Sequence, residues 1–324
     1  PEPHSGSLKA TNNNFNDLAQ AVAASQDMLR LRMTSRSYGG YKIFEGHNGM
    51  WRKKVLDGVG PWTDYYKDNI MITEDILKSA QMYANGYYGK SLNIETGEWV
   101  PSSLKALESM WMRWTYGTSQ VLFKCFNKIY SKQVSLVEKF DISHHVLHHA
   151  AIGLFFPIAL LMQLFVSGSA TNVFLLAVYV LPQLIGAITS YFKSVAKLKM
   201  PFLKKIQHIY AGFFMMETFV MVTQLKSDIN FMLGVPQGWK VTEKGVENAV
   251  SWKELIINKA FYFGIVLLSV GITLFSWKVN YAFEAPQWTH FIGLAFVNLN
   301  LLLSIFIFGK KVRSEENKVE LATI

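Results

Sequence analysis

The sequence predicts an α/β unit followed by a membrane-embedded α-helical region, and three observations predict it. Half of the 324 residues are hydrophobic and 14% are aromatic, with a mean hydropathy of +0.16 that is high for a soluble protein. Long uncharged runs alternate with lysine-rich ones through the second half. The first third instead mixes amphipathic helical periodicity with short β-prone segments. The net charge of +9 comes from basic residues that flank apolar runs and form no independent basic domain. That distribution fits positive-inside topology and not nucleic-acid binding. A single cysteine, Cys125, excludes an intrachain disulfide and implies no oxidising compartment.

In chain order, residues 1–37 read as a tail and a helix. Pro1 to Asn16 is rich in Ser, Asn and Gly, without a basic n-region or apolar h-region, and reads as a loop. Leu18 to Met33 reads as a helix with a basic end at Arg30, Arg32 and Arg36. Residues 38–143 form the next unit, with strands expected around Ile43 and from Tyr87 to Ile94. At its centre lies Met71-Ile-Thr-Glu-Asp75, opening a helix that runs to Gly86. Ile76, Ala80, Tyr83 and Ala84 recur at helical spacing, so one face is apolar and Lys78 and Gln81 lie off it. Thr73 is the expected N-cap and Gly86 the expected C′ residue. Glu74 and Asp75 sit where a helix N-terminus favours negative charge. By themselves they need be no more than a capped helix start.

Residues 144–324 are expected to form the membrane region. Ala150 to Val166 and Ala170 to Phe192 are long enough to span, as are Ala260 to Trp277 and Phe291 to Phe308. Ile206 to Leu225 is nearly as apolar but carries His208, Glu217 and Gln224. Lysines cluster at 193–205, at 226–253 and after 309, whereas the links 167–169 and 278–287 hold one lysine. Four spans put all three clusters on one side and a fifth does not, so 193–234 is assigned to interfacial amphipathic helices. Residues 235–250 form a loop on the same side as Asp75.

Several short segments of this chain share an order. They are Gly46-His-Asn-Gly-Met-Trp-Arg52, Thr73-Glu-Asp75, Arg113-Trp114 and Trp239-Lys-Val-Thr-Glu-Lys244. Together they resemble the processive, membrane-embedded family 2 glycosyltransferases, which include the cellulose, mannan and bacterial β-glucan synthases. The resemblance covers roughly residues 38–310. It implies the acceptor half of a GT-A-type domain followed by membrane helices, with an inverting hexosyl transfer from a UDP- or GDP-sugar to a growing β-glycan. By resemblance Asp75 is the catalytic base and Glu74 its support; Trp114 and Arg113 flank the acceptor, and His47 and Asn48 hydrogen-bond it. Trp239, Val241, Thr242 and Lys244 belong to a gating loop over the nucleotide. Met110 stands where the family pattern has Gln, which puts a polar role at that position in doubt.

The resemblance also implies Mg2+ or Mn2+. No Asp-x-Asp precedes residue 44, so its main ligands are expected outside this chain, which then reads as a fragment or as the partner of a donor-binding chain. The expected partners are the nucleotide-sugar donor, the glycan acceptor and the lipid bilayer. The expected location is the plasma or inner membrane, with the catalytic region and C-terminus cytoplasmic.

A rival signal is His144-His-Val-Leu-His-His149, whose imidazoles share a helical face as in membrane desaturases and fatty-acid elongases. The other four of the eight histidines are isolated, and a lipid enzyme leaves the four ordered segments unexplained. A third alternative is a non-catalytic membrane subunit. The plain reading of the histidines is a helix end at lipid headgroups.

Overall fold

A computed structural model describes residues 7–10, 18–23, 25, 44, 50–89, 95–193, 201–238, 251–280 and 289–309. The chain opens with strand β1 (Ser7–Ala10), in a stretch expected to be a loop. It pairs in parallel with β4 (Glu95–Glu98), Ser7 opposite Glu95 and Ala10 opposite Glu98. Residues 18–23 are helical, and Leu18, Ala19 and Val22 are buried in a cluster with Leu107, Met215 and Phe219. The expected strand at Ile43 lies outside the described residues, and so does most of the expected strand before Ile94.

Between these strands come α1 (Lys53–Gly58), the hairpin β2 (Tyr65–Tyr66) and β3 (Asn69–Ile70), and α2 (Glu74–Ala84). Lys67 and Asp68 both have positive φ, at 47° and 64°, which matches the twist of a two-residue hairpin turn. α2 starts and stops where its turn chemistry predicts. Gly86 has φ +76°, and the Tyr87 amide bonds the Met82 carbonyl, closing the helix in a left-handed cap. Thr73 occupies the N-cap position, but its hydroxyl makes no capping bond.

The apolar face of α2 packs as expected, yet Lys78 and Gln81 on its other side are buried as well. Lys78 Nζ donates to Gln81 Oε1 at 2.9 Å and faces the Val59 and Gly60 carbonyls at 3.5 Å. A buried ammonium needs such acceptors. Burial pulls its pKa below the ordinary lysine value, against the attraction of Asp64.

The rest is helical: α3 (Leu104–Ile129), α4 (Leu136–Phe165), α5 (Gly168–Leu175) and α6 (Leu181–Lys193), then α7 (Phe202–Tyr210) and α8 (Glu217–Met232). α9 (Trp252–Asn258), α10 (Ala260–Asn280) and α11 (Thr289–Phe308) complete it. π-helical turns at Leu176–Val180 and Ala211–Met216 join α5 to α6 and α7 to α8.

Four helices are long and apolar enough to cross a membrane: Leu136–Phe165, Gly168–Thr189, Ala260–Val279 and Thr289–Phe308. Their number agrees with the sequence expectation, but the first begins 14 residues before Ala150 and takes in all four clustered histidines. Ser135 starts it with a capping box to Glu138.

The helices form two hairpins that turn at the same end. There Gln163 Nε2 donates to the His290 carbonyl at 3.1 Å, Ser276 bonds the Gln163 carbonyl, and Asn172 Oδ1 accepts from the Gly293 amide at 2.8 Å. At the other end Glu108 of α3 pairs with Lys226 at 2.7 Å and with Lys259, and Trp252 meets Phe306. The lysine-bearing segments therefore share an end with α3.

α7 buries none of its residues. α8 corrects the expectation of an interfacial helix for the second half of the stretch. Thr218 to Leu225, Ser227 and Asp228 are buried, because α8 runs between α3, α4 and α11 and is covered on every side.

Candidate functional site

The site is built where the loop 59–73 meets α3. Arg113, Gly117, Gln120 and Lys124 follow one another at helical spacing and so share one face of α3. Read from the far end, Lys124 Nζ pairs with Asp64 and donates to the Tyr65 carbonyl. Gln120 accepts from the Ile72 amide at 3.2 Å and donates to the Ile70 carbonyl at 3.0 Å. Gly117 lies against Thr73 so closely that a Cβ there would meet its side chain at 2.4–2.9 Å. Arg113, the last of the four, lies where its charge acts on Asp75 and Glu74. This face fixes the entry of α2 and thereby aims its two carboxylates.

Asp75 is half-buried, and its Oδ1 accepts from the Ile76 amide at 2.8 Å. Burial pushes its carboxyl from the usual range up to about 6; the Glu74 charge adds to the rise, while the Ile76 amide and the Arg113 guanidinium pull against it. A carboxylate with that pKa is ionised at neutral pH and still basic enough to take a proton. Burial also lowers the pKa of Arg113, opposed by Asp75 and Glu74. Behind α2, Ser79 Oγ donates to the Asp75 carbonyl at 2.9 Å and accepts from the Phe44 amide at 2.8 Å.

Trp114 is next to Arg113, its ring 5.2 Å from Trp111, whose own ring lies 5.5 Å from His149. Met110 is buried in the apolar cluster beneath, which accounts for a hydrophobic side chain where the resemblance has Gln. Glu74, Asp75 and Arg113 are thus brought to one place, while Trp114 packs with Trp111 against the apolar cluster that holds Leu107 and Phe219. His47, Asn48, Trp239, Val241, Thr242 and Lys244 lie outside the described residues.

Sequence reasoning missed two features of this region. The first is an aromatic cluster of Phe44, Trp51 and Trp62, with centroids 5.5–6.2 Å apart and edges to faces. The signal was present, since Phe44 and Trp51 bracket the Gly-His-Asn segment. The second is a group of buried polar atoms without partners: Thr73 Oγ1, Thr115 Oγ1, Gln224 Oε1 and Asp228 Oδ2. Asp228 faces Gly153 of α4, where a Cβ would come within 2.4 Å of Oδ2, and burial pushes its carboxyl up to about 8. Nothing in the local pattern of α8 marks Asp228 as buried.

His149 Nδ1 is 3.3 Å from Gln224 Nε2, and the four clustered imidazoles lie ring to ring, His148 and His149 at 3.9 Å. Among the described residues no three His, Cys, Asp or Glu side chains are arranged to hold a metal ion.

A family model described as glycosyl transferase family group 2 matches residues 5–216. The match takes in β1, the site around α2 and α3, and the first two apolar helices. It begins well before residue 38, where the resemblance of the ordered segments starts. The chain belongs to that family.

Proposed function

We propose that this member of glycosyl transferase family group 2 is an inverting synthase-type enzyme, inserted in the membrane, that passes a hexosyl unit from a nucleotide-sugar to a growing β-glycan. The observation that carries this reading is the half-buried Asp75 at the start of α2, with a pKa of about 6 and the Arg113 charge beside it. Asp75 takes the proton of an acceptor hydroxyl as its oxygen attacks the anomeric carbon, and the bond from that carbon to the diphosphate oxygen breaks on the opposite face. The proton ends on Asp75 and the electron pair on the departing nucleoside diphosphate. Glu74 keeps the base from being neutralised by Arg113, and Trp114 offers an indole edge and face to a pyranose ring.

Held at a rigid helix start, the base is positioned before the acceptor arrives. Residues 38–143 form the acceptor half of a GT-A-type domain in this reading, and the 235–250 loop closes over the donor with Trp239, Val241, Thr242 and Lys244. The described residues do not fit a divalent cation, and no step here depends on one. The four apolar helices support insertion in a membrane, and in this reading the α3 end and its lysines face the cytoplasm.

The test is incorporation of radiolabelled sugar from UDP- and GDP-hexoses into polymer by membranes carrying the chain. The parent should incorporate from one donor and Asp75→Asn should not, at equal expression. Equal incorporation by both would refute the assignment of the base.

A further inference from the structure

We propose that the corner where α3 ends and α4 begins binds the headgroups of anionic phospholipids in the leaflet on the α3 side. α4 has 30 residues and is about 45 Å long, against about 30 Å for a hydrocarbon core and 40–45 Å for a bilayer with its headgroups. A helix of that length crosses the core and both headgroup layers, so roughly its first five residues stand at headgroup level. One stripe runs the whole helix: Leu136, Phe140, Leu147, Leu154, Leu161 and Phe165 are all exposed and repeat at four- and seven-residue intervals. Leu136 and Phe140 thus continue the lipid-facing side of the span past its hydrocarbon length, where an aromatic residue favours the interface.

The α3 side of the corner sits at the same level. Tyr130 Oη lies 2.5 Å from Ser143 Oγ, and Phe126 packs at a tilt against Tyr130 with centroids 4.7 Å apart. Both aromatics are about half exposed, at 53% and 44%.

The charge at this corner is one-sided. Lys128 and Lys132 are exposed and Lys139 is half-buried. Of the acidic residues, Glu138 is buried in its capping box, and Asp141 lies about 140° around the helix from Leu136, away from the stripe. Apolar anchors continuous with a span, rimmed by lysines, fit a phosphate-bearing lipid with net negative charge better than a zwitterionic one. The stacked His144 and His148 lie at the edge of the same level. This assignment is independent of the glycosyl-transfer reading.

The experiment reads lipids retained by the purified full chain from nanodiscs of equimolar phosphatidylcholine and phosphatidylglycerol, by native mass spectrometry. Phosphatidylglycerol should be retained over phosphatidylcholine by at least about five-fold, and Lys128→Gln/Lys132→Gln/Lys139→Gln should bring the ratio close to one. Lys132→Gln alone, in the connecting loop where folding is not at stake, should lower the ratio by up to about five-fold. Equal retention of the two lipids by the parent, or an unchanged ratio in the triple variant, would overturn the proposal. So would efficient self-crosslinking of Phe140→Cys in membranes, which would make this face a contact between copies of the chain.

Discussion

The two ends of the helical region treat buried polar groups differently. At the turn end, Gln163, Ser276, His290 and Asn172 bond one another and nearby backbone, and so hold the two hairpins in register. At the α3 end, Thr73, Thr115, Gln224 and Asp228 each bury an oxygen without a partner, and Asp75 is held half-buried with its pKa raised. An unsatisfied buried acceptor costs about 1–3 kcal/mol, so a fold keeps several together only where something other than stability benefits. The contrast is one of degree: the turn end bonds most of its buried polar groups internally, whereas the α3 end leaves these four oxygens without partners.

The sharpest way to break this comparison is at Asp75. Asp75→Asn should lower sugar transfer by about 10²–10⁴-fold, the usual contribution of a general base. In the parent the rate should rise with pH through about 6, because the ionised carboxylate is the active form. Stability should move the other way. The folded-state pKa is raised, so stability is full below about pH 4 and is lost as pH rises to about 6. Asp75→Asn should therefore unfold at a higher temperature than the parent at pH 7, by up to about 3 kcal/mol of stability. An Asn variant that is both active and no more stable would make Asp75 an ordinary capping residue.

Gly117→Ala should come next. Its Cβ would fall within 2.4–2.9 Å of Thr73, forcing α2 and α3 apart at a cost of roughly 1–3 kcal/mol in thermal unfolding. Thr73→Ala in the same chain should recover much of the loss, since the clash is with that side chain; no recovery would mean that the contact does not set the α2 entry.

Asp228→Asn tests whether the unpaired acceptors at this end carry a cost. Burial raises the folded-state pKa to about 8, so the parent loses stability as pH rises from about 4 to about 8. The Asn variant should match the parent near pH 4 and exceed it by about 2 kcal/mol or more at pH 8. A constant difference across that range would show that Asp228 does not titrate there. The smallest effect should be at the rim of the site, where Lys124→Gln removes a partly exposed pair with Asp64 and should cost about 0.5–1 kcal/mol without moving the pH dependence of transfer.

Much of the frame was legible in the sequence. The four apolar helices follow from runs of hydropathy, and the start and stop of α2 follow from Thr73-Glu-Asp75 and Gly86. Of the clustered lysines, Lys226 meets α3 at Glu108. Hydropathy alone starts the first apolar helix at Ala150 because Lys139, Asp141 and the histidines interrupt it, whereas the Ser135–Glu138 capping box marks its true start. Ser7–Ala10 reads as a loop because a four-residue strand is defined by its partner, and that partner is some 85 residues on. In the stretch that runs into α8, His208, Glu217 and Gln224 suggest a helix half in water. The structure covers all sides of α8 instead, Lys226 finding Glu108 and Asp228 finding nothing.

What the sequence by itself determined is whatever depends on neighbours three or four residues away: helix periods, caps, the apolar runs and the ordered short segments that mark the family. What only the tertiary structure decided is which polar groups are shut away and against what: Lys78 with the Val59 and Gly60 carbonyls, Asp228 with Gly153, and the single face of α3 that grips the loop before Asp75. The physical reason is that burial and pKa are set by groups 20 to 100 residues distant, whose approach local propensity does not encode.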